Sequence, residues 1–230
     1  MQLALVRVLT SFDYVRLPQA LAQAESIALM ALATEIRVRS DSSPLVAGYY
    51  SWLARVQHRR GNPAGEQMLR AAHDRHRELW GEEHLRLDVE RHALAEMALD
   101  RGALARADSL YRGIVERARS RAVRPEGLDS VLMGLGRVRL ESGKFAAADT
   151  LLREALEWRQ RIIPPGDPRI AEAQALLGAA LAKQRRYHEA EPLLRAALPI
   201  VEKRWGDADR RTLTVRTALE QIQRGAPGAR

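Results

Sequence analysis

LGRVRLESGKFAAADTLLREALEWRQR, beginning at Leu135, is followed at Leu177 by LGAALAKQRRYHEAEPLLRAALPIVEK, and the two read as one unit written twice. Leu135, Gly136, Phe145, Ala148, Leu151, Leu152, Ala155 and Leu156 return 42 residues later as Leu177, Gly178, Tyr187, Ala190, Leu193, Leu194, Ala197 and Leu198. Small and large residues at fixed places in a fixed period mark a helical repeat array, whose units bury their apolar faces on one another.

Working outward, the same period runs through most of the chain. Second-helix positions Ala24, Gly65, Ala107, Ala148 and Ala190 are spaced by 41 or 42 residues, as are first-helix positions Trp52, Leu94, Leu135, Leu177 and Leu219. Within the helices the apolar residues step by three and four, as in Ala24, Ile27, Ala28, Ala31 and Leu32, which places them on one face. Gly61, Gly102 and Gly143 fall at the hairpin turns, where a residue of positive φ closes a helix. Proline and glycine mark the longer links at 80–84, 124–127, 163–168 and 205–207. The close approach of paired helices explains Gly136, Gly178, Ala148 and Ala190, while Leu151, Leu152, Leu193 and Leu194 are expected to fill the space between units.

Composition agrees with a helical, folded chain. Apolar residues make up 46% and charged residues 29%, with aromatics at only 5%. The net charge of +8 invites a nucleic-acid or anionic-membrane reading. Against it, arginines interleave with acids at helical spacing, as in Arg185, Arg186, Glu189 and Glu191, the pattern of a solvated face laced with ion pairs. The chain has no cysteine, which excludes disulfide and thiol chemistry. The longest apolar run, 27–34, is far too short to span a bilayer. No signal-peptide pattern opens the chain, so a cytoplasmic protein without membrane insertion is expected.

The order Leu-Gly, aromatic, Ala and Leu-Leu-x-x-Ala-Leu resembles the tetratricopeptide repeat. With a period of 41–42 and Leu79-Trp80-Gly81-Glu82-Glu83-His84 in a link, it looks like the long-period subclass of kinesin light chains, which also occurs in bacterial proteins, including C-terminal regions of serine/threonine protein kinases. The resemblance implies an all-α fold, a right-handed α-solenoid of antiparallel helical hairpins. Residues 1–14 read as an N-terminal helix and an incomplete repeat, 15–222 as a solenoid of four to five hairpins closed by a helix from Arg210, and 223–230 as a tail. The unit from Trp52 departs from the pattern, with Leu53 where the glycine is expected and Gly65 where the alanine is.

It further implies a non-catalytic scaffold in bacterial signalling, alone or as the sensing array of a kinase or transcriptional regulator. A peptide or partner domain would lie in a concave groove lined by the first helices. Carried over position by position, the groove residues are Tyr50, Gln57, His58, His92, Glu96, Arg137, Glu141 and Lys183. An apolar solenoid end around Leu3, Leu5, Val6 and Leu9 offers a route to self-association.

Catalytic signatures are missing: no Gly-x-Ser-x-Gly elbow, Walker motif, dinucleotide fingerprint or kinase motif occurs. Gly134-Leu135-Gly136 sits inside a repeat helix, where close packing accounts for it. No cofactor is expected. His73, His76, His84 and His92, with Asp74, Glu78, Glu83 and Asp88 nearby, form the single histidine cluster, but its spacing fits no zinc motif, and a polar face around the Trp80 link accounts for it. Trp80 and Trp205, 125 residues apart, read as packing at the tops of hairpins.

Overall fold

A computed structural model of the chain describes residues 18–41, 43–121 and 127–225. The helix expected within 1–14, the apolar group Leu3, Leu5, Val6 and Leu9, and the end of the tail from 226 lie outside the described residues. Ten helices and no strand occur among the described residues: α1 (Pro18–Arg39), α2 (Pro44–Arg59), α3 (Ala64–Trp80), α4 (Leu87–Asp100), α5 (Leu104–Arg119), α6 (Leu128–Glu141), α7 (Phe145–Ile162), α8 (Pro168–Lys183), α9 (Tyr187–Trp205) and α10 (Arg210–Gly225). This is the all-α class of helical hairpins in series, an α-solenoid. The chain divides at 110/111 into two compact units.

In the first unit, α2 and α3 form a hairpin, α1 packs on α2, and α4 packs on both α2 and α3. Ala28, Ala31, Leu32, Val46, Tyr49 and Leu53 make one buried cluster, and Ala54, Leu69, Ala93, Leu94 and Met97 a second. Tyr50 packs against both clusters, and Leu110 of α5 against the second. The departure around Trp52 has a simple geometric resolution. Leu53 is buried, and the close approach is made instead by Gly65, where a Cβ would stand 2.5 Å from Gln57 Cβ and 2.9 Å from the Ala54 carbonyl oxygen. The small residue has changed helices, and the hairpin stays tight.

In the second unit, α6–α7 and α8–α9 are hairpins, α8 packs on α7, and α10 closes against α8 and α9. Both conserved-in-period glycines take a leucine. A Cβ on Gly136 would lie 2.7 Å from Leu152 Cγ, and one on Gly178 2.6 Å from Leu194 Cγ. Leu152 and Leu194 are fully buried, whereas Leu151 and Leu193 remain half-exposed. Leu152 and Leu194 therefore seat within their own hairpins, which refines the expectation that they fill the space between units. Gly134 takes the ring of Tyr111, so the Gly-x-Gly is packing.

Helix ends follow the local chemistry. Asp167 caps α8, its carboxylate accepting from the Arg169 N–H at 2.8 Å, and Pro168 opens the helix without wasting a donor. At the hairpin turns Gly61, Gly102 and Gly143 take φ of 74°, 72° and 73°. The corresponding residue of the last hairpin is Arg185, at φ 61°. α9 continues through Pro192 and Pro199, both of which are exposed.

Candidate functional site: the first-helix surface

The first helix of each repeat ends in a polar residue at one fixed place: His58, Asp100, Glu141 and Lys183 are the corresponding positions of α2, α4, α6 and α8. Each lies at or next to the last residue of its helix, where buried apolar positions give way to solvent.

In the first unit this surface is a network of polar and charged side chains on α2 and α4. Arg55 Nε stands 2.7 Å from Glu96 Oε2, His92 Nε2 stands 3.7 Å from Glu96 Oε1, and His58 Nε2 stands 3.5 Å from Asp100 Oδ2. The structure thus brings His58, His92 and Glu96 onto one shared surface and adds Arg55 and Asp100 to it. Asp100 was detectable from the sequence, since it occupies the repeat position of His58, Glu141 and Lys183. Arg55 was not, because its repeat counterparts Met97, Val138 and Ala180 are core residues.

Tyr50 and Gln57 lie on another side of α2. Gln57 donates to Glu25 of α1 and accepts from Asn62 Nδ2 at 2.7 Å, which ties down the α2–α3 turn. The Tyr50 ring is 6.3 Å from that of His76 on α3. It lines a cleft of about 410 Å3 with Asp41, Met68, Arg75 and His76.

In the second unit Arg137 Nε donates to Glu141 Oε1 at 2.9 Å, and Arg210 Nη1 stands 3.7 Å from the same oxygen. Lys183 is exposed at the end of α8. Nothing in the repeat pattern marks Arg210, the first residue of α10, as a neighbour of α6.

One member of the histidine cluster, His76, is buried. Glu90, wholly buried at the start of α4, holds two imidazoles: His76 Nδ1 at 2.7 Å from Oε1 and His73 Nδ1 at 3.2 Å from Oε2. His76 is also buried and stacks on Trp80, with centroids 4.4 Å apart and planes 5° from parallel. The polar face expected around Trp80, solvated or semi-buried, is semi-buried: His76 and Glu90 are buried, while His73, His84 and Trp80 keep partial exposure. No group of three or more His, Asp or Glu side chains suited to a metal ion occurs among the described residues. Trp205, in the equivalent link, is buried under the Arg211 guanidinium at 4.5 Å. Both indoles pack.

Charge elsewhere is heavily compensated. Burial pushes the Glu66 carboxyl up, but a hydrogen bond from Arg70 and the charges of Arg70, Arg101 and Arg106 outweigh it and hold the group below its usual range. Arg159, buried on α7, donates from Nε to Asp129 Oδ2 at 2.9 Å and from Nη1 to the Arg169 carbonyl at 2.6 Å.

Residues 127–225 match the tetratricopeptide repeat family. No curated protein matches the chain. Among solved structures, a kinesin-light-chain protein of nearly identical TPR-like repeats from Podosopora anserina is 18% identical, with a TM-score of 0.60, covering 88% of this chain and 94% of that one. BtubC (BKLC) from P. vanneervenii is 20% identical, with a TM-score of 0.66, covering 89% and 86%. At these identities the likeness is one of fold. No helix among the described residues is long and apolar enough to cross a membrane.

Proposed function

We propose that this chain is a non-catalytic protein-interaction scaffold that holds a peptide or a partner domain on its first-helix surface. The observation that carries the reading is the recurrence of polar and charged side chains at one repeat position, His58, Asp100, Glu141 and Lys183, at the ends of the first helices. The Arg137–Glu141 ion pair and the His58–Asp100 contact hold three of these side chains before a partner arrives, and Arg55–Glu96 holds a neighbour of theirs, which lowers the ordering cost of binding. The match of 127–225 to the tetratricopeptide repeat supports the same class of role.

The setting we propose is bacterial signalling in the cytoplasm, with the array recruiting a partner for a kinase or a transcriptional regulator. The test is affinity capture with the intact chain beside a Glu96→Arg/Arg137→Glu variant, followed by reconstitution with the purified partner. A protein that binds the first and not the second supports the reading. Recovery of nucleic acid that salt releases contradicts it, because phosphate contacts weaken steeply with ionic strength.

A further inference from the structure

The slot between α3 and α4 is filled in an unusual way. Its counterparts 125 residues on, Val201 and Val215, are wholly buried and apolar, whereas here the same two places hold His76 and Glu90. Packing alone does not call for a carboxylate where valine serves. Glu90 is buried, and its partners among the described residues are the two imidazoles, not an arginine or lysine.

His76 Nδ1 lies 2.7 Å from Glu90 Oε1, and Trp80 covers one face of the ring. In the neutral tautomer that donates from Nδ1 to the carboxylate, Nε2 is an acceptor. The ring forms part of the cleft walled by Tyr50 and Met68. At the rim Arg75 Nη2 pairs with Asp41 Oδ2 at 2.5 Å, so these two charges cancel. What remains beneath the cleft is the negative charge of Glu90, under an aromatic and thioether wall.

We propose that this cleft is a subsite for a lysine or arginine side chain of the protein partner. Its methylene stem lies along Tyr50 and Met68, and its cationic head donates toward His76 Nε2 above the Glu90 charge. The proposal rests on the scaffold reading in supplying a protein as the source of that side chain.

The test uses small probes on the intact chain, so it is independent of whether a partner is captured. N-acetyl-lysine methylamide, N-acetyl-arginine methylamide and the uncharged N-acetyl-norleucine methylamide are titrated while the Trp80 indole resonance is followed by NMR. Trp80 reports the site because it stacks on His76. A saturable shift with either cationic probe is expected, at least about tenfold tighter than with norleucine. Glu90→Gln abolishes that preference. Ala71→Leu, at an exposed helical position lining the cleft, blocks binding without touching the buried His76–Glu90 pair. Equal affinity for norleucine, tighter binding of N-acetyl-glutamate methylamide, no saturable shift, or full binding by Ala71→Leu overturns the proposal.

Discussion

Leu152 occupies the space that a side chain at residue 136 would need: a Cβ on Gly136 would stand 2.7 Å from both Leu152 Cγ and Cδ2. Gly178 and Leu194 repeat the relationship 42 residues on, with 2.6 Å to Cγ. The repeat is thus written as a knob on the second helix and a missing side chain on the first. Gly136→Ala is expected to destabilise the second unit by about 1–3 kcal/mol through overpacking. Leu152→Ala is expected to cost about 2–5 kcal/mol through the cavity it leaves. The double variant should cost less than the sum, since each change relieves the other. Urea denaturation of the three variants measures the coupling.

Arg185 carries a side chain at a turn where the other three hairpins use glycine, at φ 61°. A left-handed conformation costs a non-glycine residue about 1–2 kcal/mol, offset in part by the entropy glycine loses on folding. Arg185→Gly should therefore raise the melting temperature, and Gly143→Arg should lower it. A scan by circular dichroism decides both signs.

Arg159 and Asp129 form a buried pair, Arg159 being 4% exposed at its side chain. Arg159→Ala leaves the Asp129 carboxylate without its main partner and should cost about 3–5 kcal/mol. The last repeat shows what an apolar filling looks like, since Val201 occupies the place of Arg159. An Arg159→Val/Asp129→Leu double variant should therefore recover most of the loss in chemical denaturation.

Asp167 gives the acid limb a specific origin. Its hydrogen bond from the Arg169 guanidinium, opposed by burial and aided by the Arg169 backbone N–H, holds the carboxyl below its usual range. The folded value lies below the unfolded one, so this contribution is complete above about pH 4 and is lost as the pH falls through the folded value. Asp167→Asn keeps the cap but removes the charge. The stability of the variant should therefore fall less between pH 5 and pH 2 than that of the parent, measured by thermal scans at each pH.

Much of the fold is legible in the sequence because the repeat encodes packing directly. Gly136 with Leu152, and Gly178 with Leu194, sit at fixed offsets, and the turn glycines announce their positive φ. The reversal at Leu53 and Gly65 is visible as a departure, but its meaning needs the Ala54 backbone and the Gln57 Cβ beside Gly65. The site is less legible. Glu90 looks like any acid in the first turn of a helix, and only folding across the 81–86 link places it under His73 and His76. Tyr50 and His58, two turns apart on α2, face different neighbours, which a rule carried over by position does not separate.

The most direct test of the scaffold account is site-specific photo-crosslinking in cells. A photoreactive residue in place of Glu96 or Lys183 samples the first-helix surface, and one in place of Glu157 or Arg195, exposed on α7 and α9, samples the second helices. The account predicts one discrete protein adduct from the first pair and none from the second. Adducts of equal yield from both pairs, or from the second-helix positions alone, would contradict it.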